Sequence, residues 1–226
     1  MKIVIGYLYY DLMNLYGDSG NINVIKYHLK KQGIDCEVKK LSTLDDINFE
    51  EFDMLYIGSS TEENRKLCLK HLMNYKKDIK NFIDSNKFVL ITGNALGLFG
   101  KTLDKENALG MFDFEVTTGD RIVREIVTKC SFCNNDIYGF MNTSDSINYG
   151  NVDNLFDNEG IVYNNFYGTY MIGPLLVRNY DFTLYFIKKL ILSKDSKFKF
   201  KKFDFELDKK AYFEFIEFKR NKIHIR

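Results

Sequence analysis

The sequence predicts an α/β protein built on a largely parallel sheet. Short apolar runs rich in β-branched residues alternate with amphipathic helix patterns through the first hundred residues, and this alternation is typical of parallel strands joined by crossover helices. The chain has 226 residues, 45% hydrophobic and 28% charged, which is an ordinary globular composition. Its length fits one α/β domain with a sizeable core.

The first half contains four predicted strands and two longer helices. Strands are predicted over 2–9, 36–41, 53–58 and 88–91, and helices over 22–31 and 62–85. Ser19 or Asn21 is placed to cap the first helix, which Gly33 ends. The run 59–63 has the composition of a capped start for the second helix. A short helix after the fourth strand ends at Gly100.

The second half has a different pattern. Short strands are predicted over 112–118, 122–128, 137–141 and 161–171, with an antiparallel character, followed by a helix over 181–192.

Residues 185–226 hold 13 Lys and Arg against 6 Asp and Glu, a net charge of +7, which leaves a net charge of −6 for the remainder. Segment 197–205 alternates Lys or Asp with Phe, and a helix is predicted over 208–219. We expect residues 196–226 to pack as a strand and helix on a domain formed by residues 1–195. Binding to nucleic acid or a membrane surface is the alternative.

Composition also excludes several classes of protein. The longest apolar runs are far shorter than the roughly 18 residues of a membrane span, and no signal-peptide pattern opens the chain. We therefore expect a cytoplasmic protein with reduced thiols. The net charge of +1 argues against a nucleic-acid partner. Homo-oligomer formation stays open.

Cys130 and Cys133 form a Cys-x-x-Cys pair in a predicted turn. Structural zinc takes about four ligands, and no second pair or nearby histidine completes the set. We expect two incidental cysteines and no bound metal, with a zinc shared between two chains as the alternative.

Three turns lie where the parallel strands should end, at 17–21, 58–62 and 92–97. Ligands of open parallel sheets bind at the carboxyl ends of the strands. The third turn follows a β-rich strand and opens a short helix, which is the shape of a nucleophile elbow. Backbone N–H groups at such a helix start can stabilise an oxyanion.

Five segments carry a resemblance to a known family: 14–22, 56–58, 90–100, 139–142 and 168–176. The last is the most specific, because Pro174, the only proline, falls at the family's Gly-Pro. The chain resembles class I glutamine amidotransferases of the cobyric acid synthase type, most closely the glutaminase subunits of lipid II isoglutaminyl synthases. The resemblance covers roughly residues 1–193.

The resemblance implies a sandwich of a mixed, mostly parallel sheet with helices on both faces. It implies glutamine hydrolysis without a cofactor: an elbow cysteine attacks the side-chain amide, a histidine transfers protons, and backbone N–H groups hold the oxyanion. The ammonia would pass to a Mur-ligase-like, ATP-dependent synthetase partner, in cell-wall or cobalamin-type amidation.

The chain departs from the family at both chemical groups. The family's elbow cysteine aligns with Gly93, or with Thr92 after a shift of one residue, and its histidine aligns with Ile172. The glycine-rich oxyanion loop becomes Gly58-Ser59-Ser60. We therefore expect a catalytically degenerate amidotransferase-like subunit. The alternatives are an active glutaminase with rearranged residues and a regulatory protein that binds a ligand in the vacated pocket.

Replacement groups are scarce in the sequence. Cys68 and His71 lie three residues apart on the second helix, His28 lies in a lysine-rich stretch that we expect to be solvated, and His224 lies near the chain end. The polar residues expected to contact a partner or ligand at the strand ends are Asp18, Asn21, Gly58, Ser59, Asn94 and Arg121.

Overall fold

A computed structural model describes the backbone of residues 1–223 and the side chains of residues 1–219. The strands are β1 (Lys2–Leu8), β2 (Asp35–Leu41), β3 (Met54–Ile57), β4 (Phe88–Thr92), β5 (Thr102–Leu103), β6 (Glu106–Asn107), β7 (Phe114–Thr128), β8 (Ile137–Tyr149), β9 (Ile161–Tyr163) and β10 (Phe166–Thr169). The α-helices are α1 (Ser19–Lys31), α2 (Glu62–Leu72), α3 (Lys76–Asp84), α4 (Leu175–Arg178), α5 (Tyr180–Lys194) and α6 (Glu206–Ile223).

The main sheet has the strand order β2-β1-β3-β4-β10-β9. Its neighbouring strands pair in parallel, except that β9 pairs antiparallel with β10. The prediction of a mixed, mostly parallel sheet is confirmed. The carboxyl ends of β1, β3, β4 and β10 therefore meet at one edge of the sheet, where we look for the functional site.

Helices cover both faces of this sheet, because each central strand sends alternate apolar side chains to opposite sides. Leu55 and Ile57 of β3 pack with α2 and α3, whereas Met54 and Tyr56 pack with α1 and α5. A sheet buried on both faces explains why its strands read as continuous apolar runs rather than as alternating patterns.

The second sheet has the order β6-β5-β7-β8, and β7 pairs antiparallel with β8 along its length. The two strands predicted over 112–118 and 122–128 are one strand, β7, with a bulge between Thr118 and Ile122. Conversely, the strand predicted over 161–171 is two, because the turn after β9 places Asn164 at φ 54°. Asparagine tolerates this left-handed conformation better than most residues.

Two helix predictions also need correction. The helix predicted over 62–85 is interrupted by a 3₁₀ turn at Met73–Tyr75, which separates α2 from α3. Neither Ser19 nor Asn21 caps α1: Asp18 occupies the N-cap position, and its side chain makes no capping hydrogen bond. The reason is that the side chains of Asp18 and Asn21 turn into the core, where other polar groups bind them.

The C-terminal residues pack on the main body. Segment 197–205 is irregular rather than the expected strand, but its Phe205 ring stacks on His28 at 4.4 Å between centroids. His28 is only 2% exposed, so the expectation that it lies in a solvated stretch is wrong. Burial lowers the pKa of His28. Tyr212 of α6 donates a 2.7 Å hydrogen bond to the Asp136 carbonyl.

A buried ion pair joins the two sheets. Arg65 of α2 and Asp145 of β8 form a bidentate pair, with 2.9 Å between Nη2 and Oδ1, and their side chains are 0% and 1% exposed. Tyr170 donates its hydroxyl to the same carboxylate at 3.0 Å. Arg65 also donates to the Asn94 carbonyl at 3.2 Å, so the pair supports the turn after β4.

Glu159 is a second buried carboxyl, 8% exposed, near the end of β10. It accepts hydrogen bonds from the Thr169 hydroxyl at 2.6 Å and from the Tyr170 N–H. Burial raises the pKa of Glu159 to about 7, although both hydrogen bonds oppose the shift. Glu159 therefore holds the segment that leads from β10 to Ile172.

Removing one partner of the buried ion pair should be strongly destabilising. We expect Arg65→Met to lower the free energy of unfolding by about 3–5 kcal/mol, because Asp145 would remain buried without its cation. Urea denaturation measures the change. Lys80→Met is the matched control, since Lys80 and its partner Asp84 are exposed and solvent screens the pair, so little change is expected. Equal losses in the two variants would contradict the assignment.

Glu159 should make the protein less stable as the pH rises. Its folded pKa lies above the unfolded value of about 4.3, so the folded state binds more protons, and stability falls between about pH 4.5 and 7. The loss is at most about 4 kcal/mol, because the two pKa values differ by about 2.7 units at 1.36 kcal/mol per unit. Glu159→Gln should flatten this slope in urea denaturation series at several pH values. The exposed Glu50→Gln is the control, and a slope unchanged by Glu159→Gln would refute the prediction.

Candidate functional site

The candidate site lies at the carboxyl edge of the main sheet, where β4 runs into a 3₁₀ turn at Gly93–Phe99. Gly93 has φ +65°, whereas Thr92 is still extended at φ −125°. A sharp strand-to-helix turn with a strained residue at its apex is typical of a nucleophile elbow. Of the two alignments left open by the sequence, the backbone favours Gly93 as the elbow residue.

The space in front of Gly93 is filled. A Cβ atom on Gly93 would overlap the Ser59 Oγ and lie 2.9 Å from the Ile172 Cγ2. Ser59 and Ile172 are 1% and 2% exposed. A side chain at position 93 therefore needs at least Ser59 to move. Neither Gly93 nor Ile172 carries a nucleophilic or basic side chain, and the polar group that projects at the apex of the elbow is the Ser59 hydroxyl.

Asp18 lies beside this filled elbow and is fully buried. Its carboxylate accepts hydrogen bonds from the Thr92 hydroxyl at 3.0 Å and the Tyr16 N–H at 3.3 Å. Burial raises the pKa of Asp18 despite these hydrogen bonds. Gly58 permits the approach, because a Cβ there would lie 2.6 Å from the Asp18 Cβ.

Tyr56 connects Asp18 to Asn21. Its hydroxyl lies 2.8 Å from the Thr92 Oγ1 and 3.1 Å from the Asp18 carbonyl, and it accepts a 2.9 Å hydrogen bond from the Asn21 Nδ2. The Asn21 Oδ1 in turn accepts from the Leu176 N–H. Burial is the main cause that raises the pKa of Tyr56 well above its usual value, so the phenol stays protonated. The network is a satisfied polar core.

Asn94 joins the elbow to the loop after β3. It donates to the Ser60 carbonyl at 2.8 Å and accepts from the Ser60 N–H at 3.0 Å. The structure thus brings together five of the six predicted binding residues, namely Asp18, Asn21, Gly58, Ser59 and Asn94. All five positions are buried, so contact of Asp18 or Asn21 with a partner or ligand would require a rearrangement.

Arg121 is the exposed member of the predicted set. It lies in the bulge of β7 and donates to the Asn142 Oδ1 at 2.7 Å and to the Tyr16 hydroxyl at 3.2 Å. Tyr16 precedes Asp18 by two residues, so Arg121 lies at the outer rim of the site rather than in it.

The side chains that could replace the missing cysteine and histidine contact residues other than Gly93. Cys68 is buried against the α2 face of the sheet, and burial raises the pKa of its thiol to about 12. His71 shares a 2.8 Å hydrogen bond with the Tyr9 hydroxyl. His28 packs on Phe205, and His224 lies outside the described residues. Cys36 is in β2, where burial raises the pKa of its thiol to about 11.

Cys130 and Cys133 occupy the turn between β7 and β8, with a 3.2 Å hydrogen bond from the Cys133 N–H to the Cys130 carbonyl. Both are free thiols. A separate hydrogen bond between the two thiol side chains lowers the pKa of Cys130 and raises the pKa of Cys133. Among the described residues, no group of three or more His, Cys, Asp or Glu side chains is arranged to hold a metal ion.

Sequence reasoning missed Arg65, Asp145, Tyr56, Tyr170 and Glu159. A signal existed for Arg65, which shares the buried face of α2 with Cys68, Leu69 and Leu72. A charged residue on an apolar stripe usually has a buried partner. For Asp145 no signal existed, because its partner is 80 residues away in sequence.

Within residues 1–223, no helix combines the length and the apolar character that a membrane span requires.

Solved structures of low sequence identity share the fold. A crystal structure of a glutamine amidotransferase superposes with a TM-score of 0.55 at 15% identity, covering 82% of this chain and 98% of that one. The structure of PurLQS from Thermotoga maritima superposes with a TM-score of 0.51 at 12% identity, covering 86% and 99%. The predicted amidotransferase-like sandwich is confirmed.

Sequence relatives agree with this fold. Residues 4–180 match the CobB/CobQ-like glutamine amidotransferase domain. The chain is 31% identical over 218 residues to the GatD subunit of the glutamine-hydrolysing lipid II isoglutaminyl synthase of Staphylococcus aureus, covering 89% of each protein. It is 29% identical over 199 residues to GatD of Streptococcus pneumoniae, covering 79% of this chain and 76% of the relative. The chain therefore belongs to the CobB/CobQ-like glutamine amidotransferase family and is related over most of its length to GatD subunits.

Proposed function

We propose that this protein is a catalytically degenerate GatD-like subunit that binds a Mur-ligase-like synthetase and does not itself hydrolyse glutamine. The observation that carries the proposal is the filled elbow: Gly93 stands at its apex, with the Ser59 hydroxyl and Ile172 packed where a side chain would project. Loss of the nucleophile or base of such a catalytic unit lowers the rate by roughly 10⁶.

Two alternatives have less support. An active glutaminase with rearranged residues needs a thiolate near the elbow, but burial raises the pKa values of Cys36 and Cys68. Thr92 donates its hydroxyl to Asp18, yet both are fully buried, and substrate has no route to them without rearrangement. A regulatory protein that binds a ligand at the elbow needs an open pocket, whereas Ser59 and Ile172 occupy that space.

Partner binding is the function that remains for the carboxyl edge of the sheet. The relatives of this chain are subunits of lipid II isoglutaminyl synthases, and the carboxyl ends of parallel strands are where open α/β sheets bind other molecules. The exposed side chains here include Leu15, which is 51% exposed and whose N–H donates to the Ser59 carbonyl, and Arg121 at the rim.

The four free thiols accord with a cytoplasmic location.

The purified protein should release no ammonia from glutamine above background and should not react with a glutamine-analogue electrophile. Gly93→Cys alone should remain inactive, because its Cβ overlaps Ser59 and Ile172 offers no base. Combining Ser59→Gly, Gly93→Cys and Ile172→His should give covalent labelling at position 93, detected by mass spectrometry. Labelling of Thr92 or of a native cysteine in the unmodified protein would refute the degenerate assignment.

Complex formation should depend on the exposed rim. We expect the double variant Leu15→Asp, Arg121→Glu to weaken binding to a co-expressed Mur-ligase-like synthetase at least about tenfold, or ~1.4 kcal/mol. Leu192→Asp, at the C-terminal end of α5, is the matched control because Leu192 is a similarly exposed apolar residue. Calorimetric titration measures the affinities. Unchanged binding in the rim variant, or an equal loss in the control, counts against this surface.

A further inference from the structure

Seven exposed lysines lie on the second half of α1 and on segment 197–202, and we call them the basic face: Lys26, Lys30, Lys31, Lys197, Lys199, Lys201 and Lys202. None of them forms an ion pair with an acidic side chain within the described part of the chain. Segment 197–203 contains four lysines, three phenylalanines and no acidic residue. Like charges repel, so this clustering costs stability unless an anionic surface compensates it.

The lysines are held in place by the backbone rather than carried on a loose tail. Gln32, at the end of α1, donates to the Lys201 carbonyl at 3.2 Å and accepts from the Lys201 N–H at 2.8 Å. The rings of Phe198, Phe200 and Phe203 pack against the core that α1 and α5 share. Because these rings point inward, the lysines between them are directed outward.

The residue types favour a diffuse anionic surface over a nucleic acid. All seven cations are lysines, which act as point charges, whereas base recognition relies largely on the bidentate geometry of arginine. Single-stranded nucleic acids also need exposed aromatic rings on which bases stack. Here the phenylalanines of the segment are half-buried against the core, and Lys188 lies 5.9 Å from the ring centroids of Phe200 and Phe203. The exposed ring near these lysines is Tyr27, whose face is covered by Lys31 at 5.4 Å from its centroid.

The basic face and the candidate site lie at opposite ends of the sheet. Helix α1 begins at Ser19, beside the filled elbow, and ends at Lys31, so about 20 Å of helix separates the two, at 1.5 Å per residue. A synthetase bound at the carboxyl edge would therefore leave the basic face free.

We propose that the basic face binds the anionic headgroups of a phospholipid membrane. The inference deepens the proposed function, on which it rests: a subunit that serves amidation of a lipid-linked substrate gains from being held at the membrane where that substrate lies. Each lysine near an anionic leaflet adds to the attraction, so several together give reversible, salt-sensitive attachment without any inserted segment.

Co-sedimentation with vesicles tests the proposal. The full chain should bind vesicles of phosphatidylcholine mixed with phosphatidylglycerol, and not vesicles of phosphatidylcholine alone. Binding should be lost at about 1 M salt, where the Debye length is about 3 Å. The variant with Lys197, Lys199, Lys201 and Lys202 all changed to Glu should bind at least about tenfold more weakly.

The control variant changes Lys66 and Lys70 of α2 and Lys76 and Lys77 of α3 to Glu; all four are exposed, and the net charge changes equally. It should bind like the unmodified protein. If the Glu variant of the basic face misfolds by circular dichroism, the corresponding Gln variant replaces it. Absence of binding to the anionic vesicles, or equal losses in both variants, overturns the proposal.

A fluorescent single-stranded RNA provides the remaining comparison. Binding to RNA through the same lysines, with the vesicles left unbound, would assign the basic face to nucleic acid and overturn the membrane proposal. The ammonia-release and synthetase-binding measurements involve none of these lysines. A lack of vesicle binding therefore does not contradict the proposed function. Results that contradict the proposed function appear only in the ammonia-release and synthetase-binding assays.

Discussion

The Arg65–Asp145 ion pair is the interaction on which the geometry of the candidate site depends. It links α2, the long β7–β8 hairpin, the carbonyl of Asn94 after the elbow and the hydroxyl of Tyr170 beyond β10. A pair this deeply buried requires good geometry to balance its desolvation, so the four segments are fixed relative to one another. The elbow keeps its shape even though Gly93 contributes no functional group.

Around that fixed elbow, the polar residues are hydrogen-bonded to one another within the core. Asp18, Tyr56 and Asn21 satisfy each other's hydrogen bonds, and Ser59 projects toward the position where an elbow side chain would lie. An active site needs groups whose pairing stays incomplete until substrate arrives. Asp18, Tyr56 and Asn21 are hydrogen-bonded to protein atoms, as in an ordinary core. Among the described residues, the Tyr7 hydroxyl beside Tyr56 and the Nε of Arg65 are buried without a hydrogen-bond partner. The chain keeps the scaffold of the family. We propose that the carboxyl edge of its sheet binds a partner and that its elbow no longer catalyses a reaction.

The sequence predicted the parallel sheet well because its signal is local: buried apolar strands and amphipathic helices alternate at the expected lengths. It also placed Gly93 and Ile172 in the site, through resemblance to a family rather than through pattern. It failed where the outcome depended on contacts between distant segments. Nothing local shows that Asp18 turns inward to Thr92 and Tyr56, or that His28 stacks on a phenylalanine more than 170 residues later. Those side chains follow tertiary packing, which overrides local preference.

The positive φ of Gly93 has a consequence for the thermal behaviour of the chain. An L-residue with a side chain in this conformation pays roughly 1–2 kcal/mol, which glycine avoids. An enzyme whose elbow carries its nucleophile must accept that strain, and activity then limits how stable the fold becomes. With glycine at the apex, the same scaffold is relieved of the strain. For a chain of this size, about 1 kcal/mol corresponds to roughly 2–4 °C in the melting temperature. The glycine thus provides a reserve of stability, against which destabilising substitutions elsewhere in the chain can be tolerated.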